Sequence, residues 1–225
     1  MKDHRPTRWF FLSCSMKVIS TNLGQPTEIM WNNEKTTTGI FKYPVPGPIF
    51  LDSEAVLDDT IANRKVHGGH FKACYLFSKE QYPFWQKKYP DLLWDWGMFG
   101  ENLTVEGLDE SQLKIGNIYK LGSALVQITQ PREPCFKLGI RFGNQNILKE
   151  FIDHGFPGSY VRVMERGEVS VGDSMELVEE SPNPLTIQQF YGLLFNREKD
   201  QELLQWAISN DALPPNKRES LKKWA

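Results

Sequence analysis

The sequence predicts a mainly β protein: a barrel-like domain with short helices, followed by a small three-helix extension at the C-terminus. Three observations carry this. From Met16 to Val178, short runs of alternating or β-branched residues recur between Gly, Pro and Asn punctuation. Ser181-Pro182-Asn183-Pro184 then marks a change of composition, and beyond it apolar residues fall at helical spacing. Many short strands followed by a run of helices favour a barrel with an appendage. The expected division is an N-terminal extension over 1–15, a barrel over 16–180 and helices over 181–225.

Residues 1–15 carry basic side chains, then Trp9-Phe10-Phe11-Leu12, then small residues around Cys14. That apolar run is too short for a signal-peptide core, and the stretch is expected to be poorly ordered. Met16 stands as an alternative start, because a first strand begins there. Lys17–Thr21 and Glu28–Trp31 alternate, Asn32-Asn33 is a turn signal, and Thr36–Phe41 is β-branched, so the middle of this stretch reads as a hairpin. Residues 52–65 are a polar excursion leading to Val66-His67-Gly68-Gly69-His70. An apolar strand, Ala73–Phe77, follows with Cys74 as a core residue. Ser78 is expected to cap a short helix that carries Tyr82 and Trp85 on one face.

Leu103 and Val105 alternate with polar neighbours, and Ile115–Tyr119 enters a strand pair that delivers residues 123–131. Phe136–Phe142 has an apolar residue at every second position and so no clean helical face. Gln145–His154 has helical spacing and stops at Gly155. Gly158–Val163 is a strand, and Glu168–Val171 and Ser174–Val178 are strands separated by Gly172-Asp173, a hairpin-type turn. Thr186 and Asp200 cap the first two helices of the extension, and Pro214-Pro215 starts the third, with Leu221 and Trp224 on one side. Helices of about ten residues do not stand alone, so these are expected to pack on one another and on the barrel.

The chain has 225 residues, 40% hydrophobic and 24% charged, an ordinary globular composition. A formal net charge of −2 gives no reason to expect nucleic-acid or membrane-surface binding. Three cysteines, far apart and odd in number, argue against a disulfide framework and fit a reducing, cytoplasmic setting. There is no CxxC or HxxxH spacing for structural zinc, and no apolar run near the ~20 residues of a membrane helix.

The reactive stretch is 123–142. Its strand ends at Pro131, and Pro134 precedes Cys135. Arg132 stands three residues before the cysteine, Lys137 two after and Arg141 six after. Nearby positive charge favours the thiolate, the form that attacks electrophiles and binds metals. A free cysteine is also a common core residue, so the case for a site rests on the other segments. Gly68 and Gly69 let backbone approach a ligand closely, with His67 at the mouth of that turn. Glu101 and Asn102 stand at a strand entrance, where Asn102 either closes its own loop or offers its amide to a ligand.

Taken together, these stretches resemble the MOSC family, named after the C-terminal domain of molybdenum cofactor sulfurase. The matching pieces are Lys65-Val66-His67-Gly68-Gly69, Phe99-Gly100-Glu101-Asn102-Leu103, Ile115-Gly116-Asn117, Gln130-Pro131-Arg132-Glu133-Pro134-Cys135, and Tyr160-Val161-Arg162-Val163 with Gly167 and Val171-Gly172-Asp173. They fit in order and spacing over roughly residues 16–180. The helical tail resembles that of one subgroup, the YiiM-like proteins associated with resistance to 6-N-hydroxylaminopurine. The chain departs from the pattern at His70-Phe71, where a small polar or acidic residue is expected.

The resemblance implies a MOSC-type β-barrel that binds the molybdenum cofactor, with Cys135 as a metal ligand. It implies reduction of N-hydroxylated compounds to the amine and water. Arg132, Lys72, His67, Gly68 and Gly69 would meet the cofactor's phosphate, Asn102 and Tyr160 would bond the pterin or the cysteine turn, and Glu101 would deliver protons. Lys137 and Arg141 are expected at the surface. The chain has no flavin or nicotinamide fingerprint and too few cysteines for a four-cysteine cluster, so a separate electron-donating reductase is implied. Competing readings rank behind: a thiol hydrolase or transferase with Cys135 and His67, a non-catalytic cofactor carrier, and pyridoxal phosphate bound through a lysine.

Overall fold

The computed structural model describes residues 16–60 and 68–225. Twelve strands occur among them: β1 (Met16–Gly24), β2 (Thr27–Trp31), β3 (Glu34–Thr38), β4 (Lys42–Pro44), β5 (Ile49–Leu51), β6 (Cys74–Ser78), β7 (Leu103–Glu106), β8 (Ile118–Leu121), β9 (Ala124–Pro131), β10 (Ser159–Glu165), β11 (Gly167–Val169) and β12 (Ser174–Glu179). Seven of them close a barrel in the order β12-β8-β9-β10-β6-β7-β1, with β12 pairing back onto β1. All neighbours in the ring are antiparallel except β6 and β7. Closure leaves the barrel without free edges, and β4 extends the far end of β1.

The alternation seen in the sequence is the alternation of the wall. Along β9, Ala124, Val126 and Ile128 point into the core while Leu125 and Gln127 are only half-buried. β2 and β3 pair only with each other, joined by Asn32 and Asn33 in the left-handed region (φ 49° and 65°). The hairpin is the one the sequence pattern implies, and its strands are not part of the barrel ring.

Six α-helices are described: α1 (Tyr82–Lys88), α2 (Phe136–Arg141), α3 (Ile147–His154), α4 (Ile187–Phe195), α5 (Gln201–Ser209) and α6 (Pro215–Leu221). The last three are the extension. Their buried residues, among them Ile187, Phe190, Leu204, Ala207 and Leu221, join the same hydrophobic core as the barrel interior. A second, aromatic cluster lies beneath α1–α3, where Phe77 and Phe99 stack with ring centres 4.1 Å apart. No described helix is long and apolar enough to cross a membrane.

Four expectations need correction. Phe136–Arg141 is helical: Leu138 and Phe142, four residues apart, share one buried face, and this outweighs the two-residue alternation. The Gly172-Asp173 turn exists, yet it joins no hairpin, because β11 pairs with β5 while β12 pairs with β1 and β8. The Ser78 hydroxyl donates to the Glu80 carboxylate at 2.8 Å and caps no backbone amide. The third helix of the extension ends at Leu221, gives way to a 3₁₀ turn, and leaves Trp224 half exposed. Residues 1–15, with Cys14, and residues 61–67, with His67, lie outside the described residues.

Candidate functional site

The last two ladder pairs of β9 set Gln130 opposite Tyr160 and Pro131 opposite Ser159. Pro134 has no N–H to continue a ladder, so the chain leaves the barrel wall. Cys135 then occupies the position before α2 in extended conformation, half-buried. The register brings Tyr160 beside the cysteine turn, and both residues line one cleft.

Arg132 lines the same cleft although it is only 6% exposed. Its guanidinium donates to the Phe99 carbonyl and lies 5.2 Å over the Tyr75 ring, contacts that offset the cost of burying a cation. Lys72 comes from the short turn His70–Lys72. Gly69 opens that turn at φ 91°, a conformation glycine adopts without strain, and its carbonyl accepts the Lys72 amide at 2.8 Å. The Lys72 ammonium stands 5.7 Å over the Tyr160 ring. Burial first, and then repulsion from Lys217, hold Lys72 below the usual lysine value. Gly68 and Gly69 are half-buried and lie outside the cleft wall.

Lys137 corrects an expectation. It is 8% exposed rather than superficial, it lines the cleft, and its ammonium donates to the Thr37 carbonyl at the root of the β2–β3 hairpin, at 3.4 Å. Arg141 is half-buried over the rings of Phe41 and Tyr43 and does not line the cleft.

The Glu101-Asn102 pair splits. The Glu101 carboxylate is fully buried and accepts four donors: the Tyr82 hydroxyl, the Gly97 amide at 2.9 Å, the Phe99 amide at 3.1 Å and the Thr104 hydroxyl at 2.9 Å. Burial pushes Glu101 upward, and these hydrogen bonds pull it back in part. It does not line the cleft. Asn102 does, but not by closing its own loop: its amide oxygen accepts from the Tyr75 backbone at 3.2 Å and its amide nitrogen donates to Asp59 at 3.0 Å.

Two charged cleft residues escaped the sequence reading. Lys42 and Asp59 form a buried ion pair in the wall, and Asp59 also accepts the Gly24 amide at 2.8 Å. Desolvation lowers Lys42 from the usual lysine value, and pairing with Asp59 counters it only in part. Lys42 sits in a short aromatic-flanked strand and Asp59 in a polar excursion. Neither segment carries a motif, and only the fold joins them.

The described residues of the cleft thus present one thiol, four cations (Lys42, Lys72, Arg132 and Lys137) and one carboxylate, Asp59. No group of three or more His, Cys, Asp or Glu able to hold a metal ion occurs among the described residues. A metal held here through Cys135 must bring most of its own ligands, and a strongly anionic organic carrier suits the surplus of positive charge. The donor set therefore fits a metal–dithiolene cofactor with a phosphate.

A closed β-barrel that presents one thiol in a cation-lined cleft, with C-terminal helices sharing its core, is the class of protein that the described residues define. The family model described as MOSC domain matches residues 63–176, half of the chain. "Uncharacterized protein YflK" of Bacillus subtilis is 35% identical over 92% of this chain and 93% of its own length. A Gibberella moniliformis protein named "Reductase" is 37% identical over 64% of this chain and 26% of its own length. The crystal structure of YiiM from Geobacillus stearothermophilus superimposes with a TM-score of 0.78 at 30% identity, covering 92% of this chain and 98% of that one. The chain belongs to the MOSC domain family and is YiiM-like.

Proposed function

We propose that the protein is a molybdenum-cofactor-dependent reductase of N-hydroxylated compounds, such as N-hydroxylaminopurine-type base analogues. The balance is R–NHOH + 2 e⁻ + 2 H⁺ → R–NH2 + H2O, with electrons from a separate reductase. The observation that carries this reading is a single half-buried thiol sharing a cleft with four cations and one carboxylate. When bound, the cofactor supplies the two-electron chemistry. Cys135 supplies the protein's ligand to the metal, and a thiolate is a soft donor suited to it. Arg132 and Lys72 hold the phosphate, as a planar fork and a point charge respectively. Tyr160 and Asn102 hydrogen-bond the organic ring system or keep the cysteine turn in place.

Glu101 enters as a brace. Two of its four hydrogen bonds fix the Gly97–Phe99 turn, whose Phe99 carbonyl in turn holds Arg132. Gly100 keeps the wall thin there: it sits at φ 76°, where a Cβ would stand 3.0 Å from Ile40 and 3.7 Å from the Arg132 guanidinium. Cleavage of the N–O bond needs a proton on the leaving oxygen, and the groups facing the cleft with protons to give are the ammonium side chains rather than Glu101. The name of the Gibberella relative supports reductive chemistry.

The test is elemental analysis of protein from a cofactor-competent host, with turnover of an N-hydroxylated purine under a chemically reduced electron donor. Wild type is expected to hold close to one molybdenum per chain and to turn over. Cys135→Ala is expected to stay folded and do neither. Metal and activity fully retained in Cys135→Ala, or no metal in wild type, would refute the proposal.

A further inference from the structure

The inner wall of the cleft holds charge that the proposed reaction leaves unexplained. The side chains of Lys42 and Asp59 are only 7% and 3% exposed, yet both line the cleft. Taking two charges out of water costs several kcal/mol each, and a buried pair rarely returns a net gain in stability. Its bonding is also incomplete. A carboxylate offers about four lone-pair sites, and Asp59 fills three: Gly24 on one oxygen, Asn102 and Lys42 on the other. The Lys42 ammonium has three N–H groups, and Asp59 is its one hydrogen-bond acceptor among the described residues. Unspent donors and an unspent acceptor therefore lie side by side where water is scarce. The tilted rings of Tyr75 and Tyr160, with centres 5.1 Å apart, stand in the same wall.

This pattern is complementary to a flat heterocycle edge carrying a carbonyl next to an N–H. It is a poor match for phosphate, because the one carboxylate of the described cleft stands here. We propose that Lys42, Asp59 and Asn102 form the recognition site for the 2-amino-4-oxo edge of a pterin ring. Lys42 donates to the ring carbonyl, and Asp59 accepts from the ring N–H or the exocyclic amine. Asn102 holds Asp59 in place and offers the second lone pair of its amide oxygen. This assignment deepens the cofactor reading and rests on it: the ring's edge goes to Lys42 and Asp59, while the thiol and the remaining cations take the metal and phosphate.

The chemistry predicts a discrimination that needs neither metal nor turnover. Lumazine is a pterin with the 2-amino group replaced by a carbonyl, so it would set an acceptor against Asp59. Sites that hydrogen-bond a ligand reject analogues that leave a buried group unpaired. Protein from a host lacking cofactor synthesis would be titrated with pterin and with lumazine at pH 6.5, following ligand fluorescence. Wild type is expected to prefer pterin by about tenfold, one good hydrogen bond's worth. Asp59→Asn brings an amide donor in the same shape and is expected to bring the ratio to one or invert it. Lys42→Met is expected to weaken both ligands alike. Circular dichroism and thermal melts check the fold of each variant, and the wild-type ratio alone decides if a variant does not fold.

Equal affinity for the two ligands in wild type, no pterin binding at about 1 mM, or an unchanged preference in a folded Asp59→Asn would overturn the assignment. Cys135-dependent molybdenum without pterin discrimination would overturn this inference and leave the reductase reading standing. Pterin discrimination in a protein that holds no metal would do the reverse.

Discussion

Glu110 offers a direct test of how burial tunes charge beside the site. It is 0% exposed. One carboxylate oxygen accepts the Gly158 amide at 3.0 Å, and the other has no partner. Gly158 stands two residues before Tyr160, and the Pro157 carbonyl accepts the Tyr75 hydroxyl at 2.7 Å, so this carboxyl braces the turn that delivers two cleft tyrosines. Desolvation raises it from 4.5 to about 7, only partly opposed by hydrogen bonds that include the Gly158 amide.

Between those two values the native state keeps a proton that the unfolded chain has released. Stability from this group is therefore full below pH 4.5 and is lost as pH rises through 7. At about 1.4 kcal/mol per tenfold, the ionised carboxylate costs about 3 kcal/mol above pH 8. At pH 5 about three quarters of the unfolded chains are already ionised at this residue, so the change between pH 5 and pH 8 is about 2.5 kcal/mol. Glu110→Gln keeps the acceptor for Gly158 and removes the titration. Urea unfolding of both proteins at pH 5 and pH 8 should show the variant gaining about 2.5 kcal/mol relative to wild type across that interval. A variant-minus-wild-type difference that is the same at both pH values would refute the argument, because Glu110 would then titrate alike in the folded and unfolded chain.

Other residues make shorter predictions. Thr186 accepts the Gln189 amide at 3.2 Å while the Gln189 side chain accepts the Thr186 amide at 3.0 Å; Thr186→Ala should cost about 1 kcal/mol, and an unchanged denaturation midpoint would show that the reciprocal cap adds nothing. Arg132→Ala strands the Phe99 carbonyl and should cost about 2 kcal/mol; it should also leave the folded fraction depleted of molybdenum, and metal content at the wild-type level would make Arg132 a structural residue only. Lys217, on α6, pairs with Glu133, two residues before Cys135. Lys217→Ala should change stability by less than about 1 kcal/mol yet speed alkylation of Cys135 as the turn loosens; an unchanged rate would show that the pair does not restrain it.

The barrel was legible because its signals are local. Alternation along Lys17–Thr21 and through Val126 and Ile128, and the turn at Asn32-Asn33, each follow from a few neighbouring residues. The capping of α4 and α5 by Thr186 and Asp200 was equally local. What escaped was set by distant partners. β11 deserts the Gly172 turn because Val169, Ile49 and Leu51 bury together once β5 lies beside it. Lys42 and Asp59, seventeen residues apart with only ordinary sequence around each, become a pair only when the barrel brings Gly24 and Asn102 to the same place.

The Glu101-Asn102 pair shows how the fold separates two neighbours that the sequence groups together. Consecutive residues entering a strand point to opposite sides of the chain, so two adjacent polar residues cannot both face one ligand. Tyr82, Gly97 and Thr104 lie on the side toward Glu101, and Tyr75 and Asp59 on the side toward Asn102. That geometry gives the carboxylate to the wall and the amide to the cleft. It also leaves acid–base chemistry to the cations of the cleft, among them Lys72, which burial holds below the ordinary lysine range. If the proposed reaction draws its proton from this cleft, a lysine placed there by the fold faces it and the carboxylate of the motif does not.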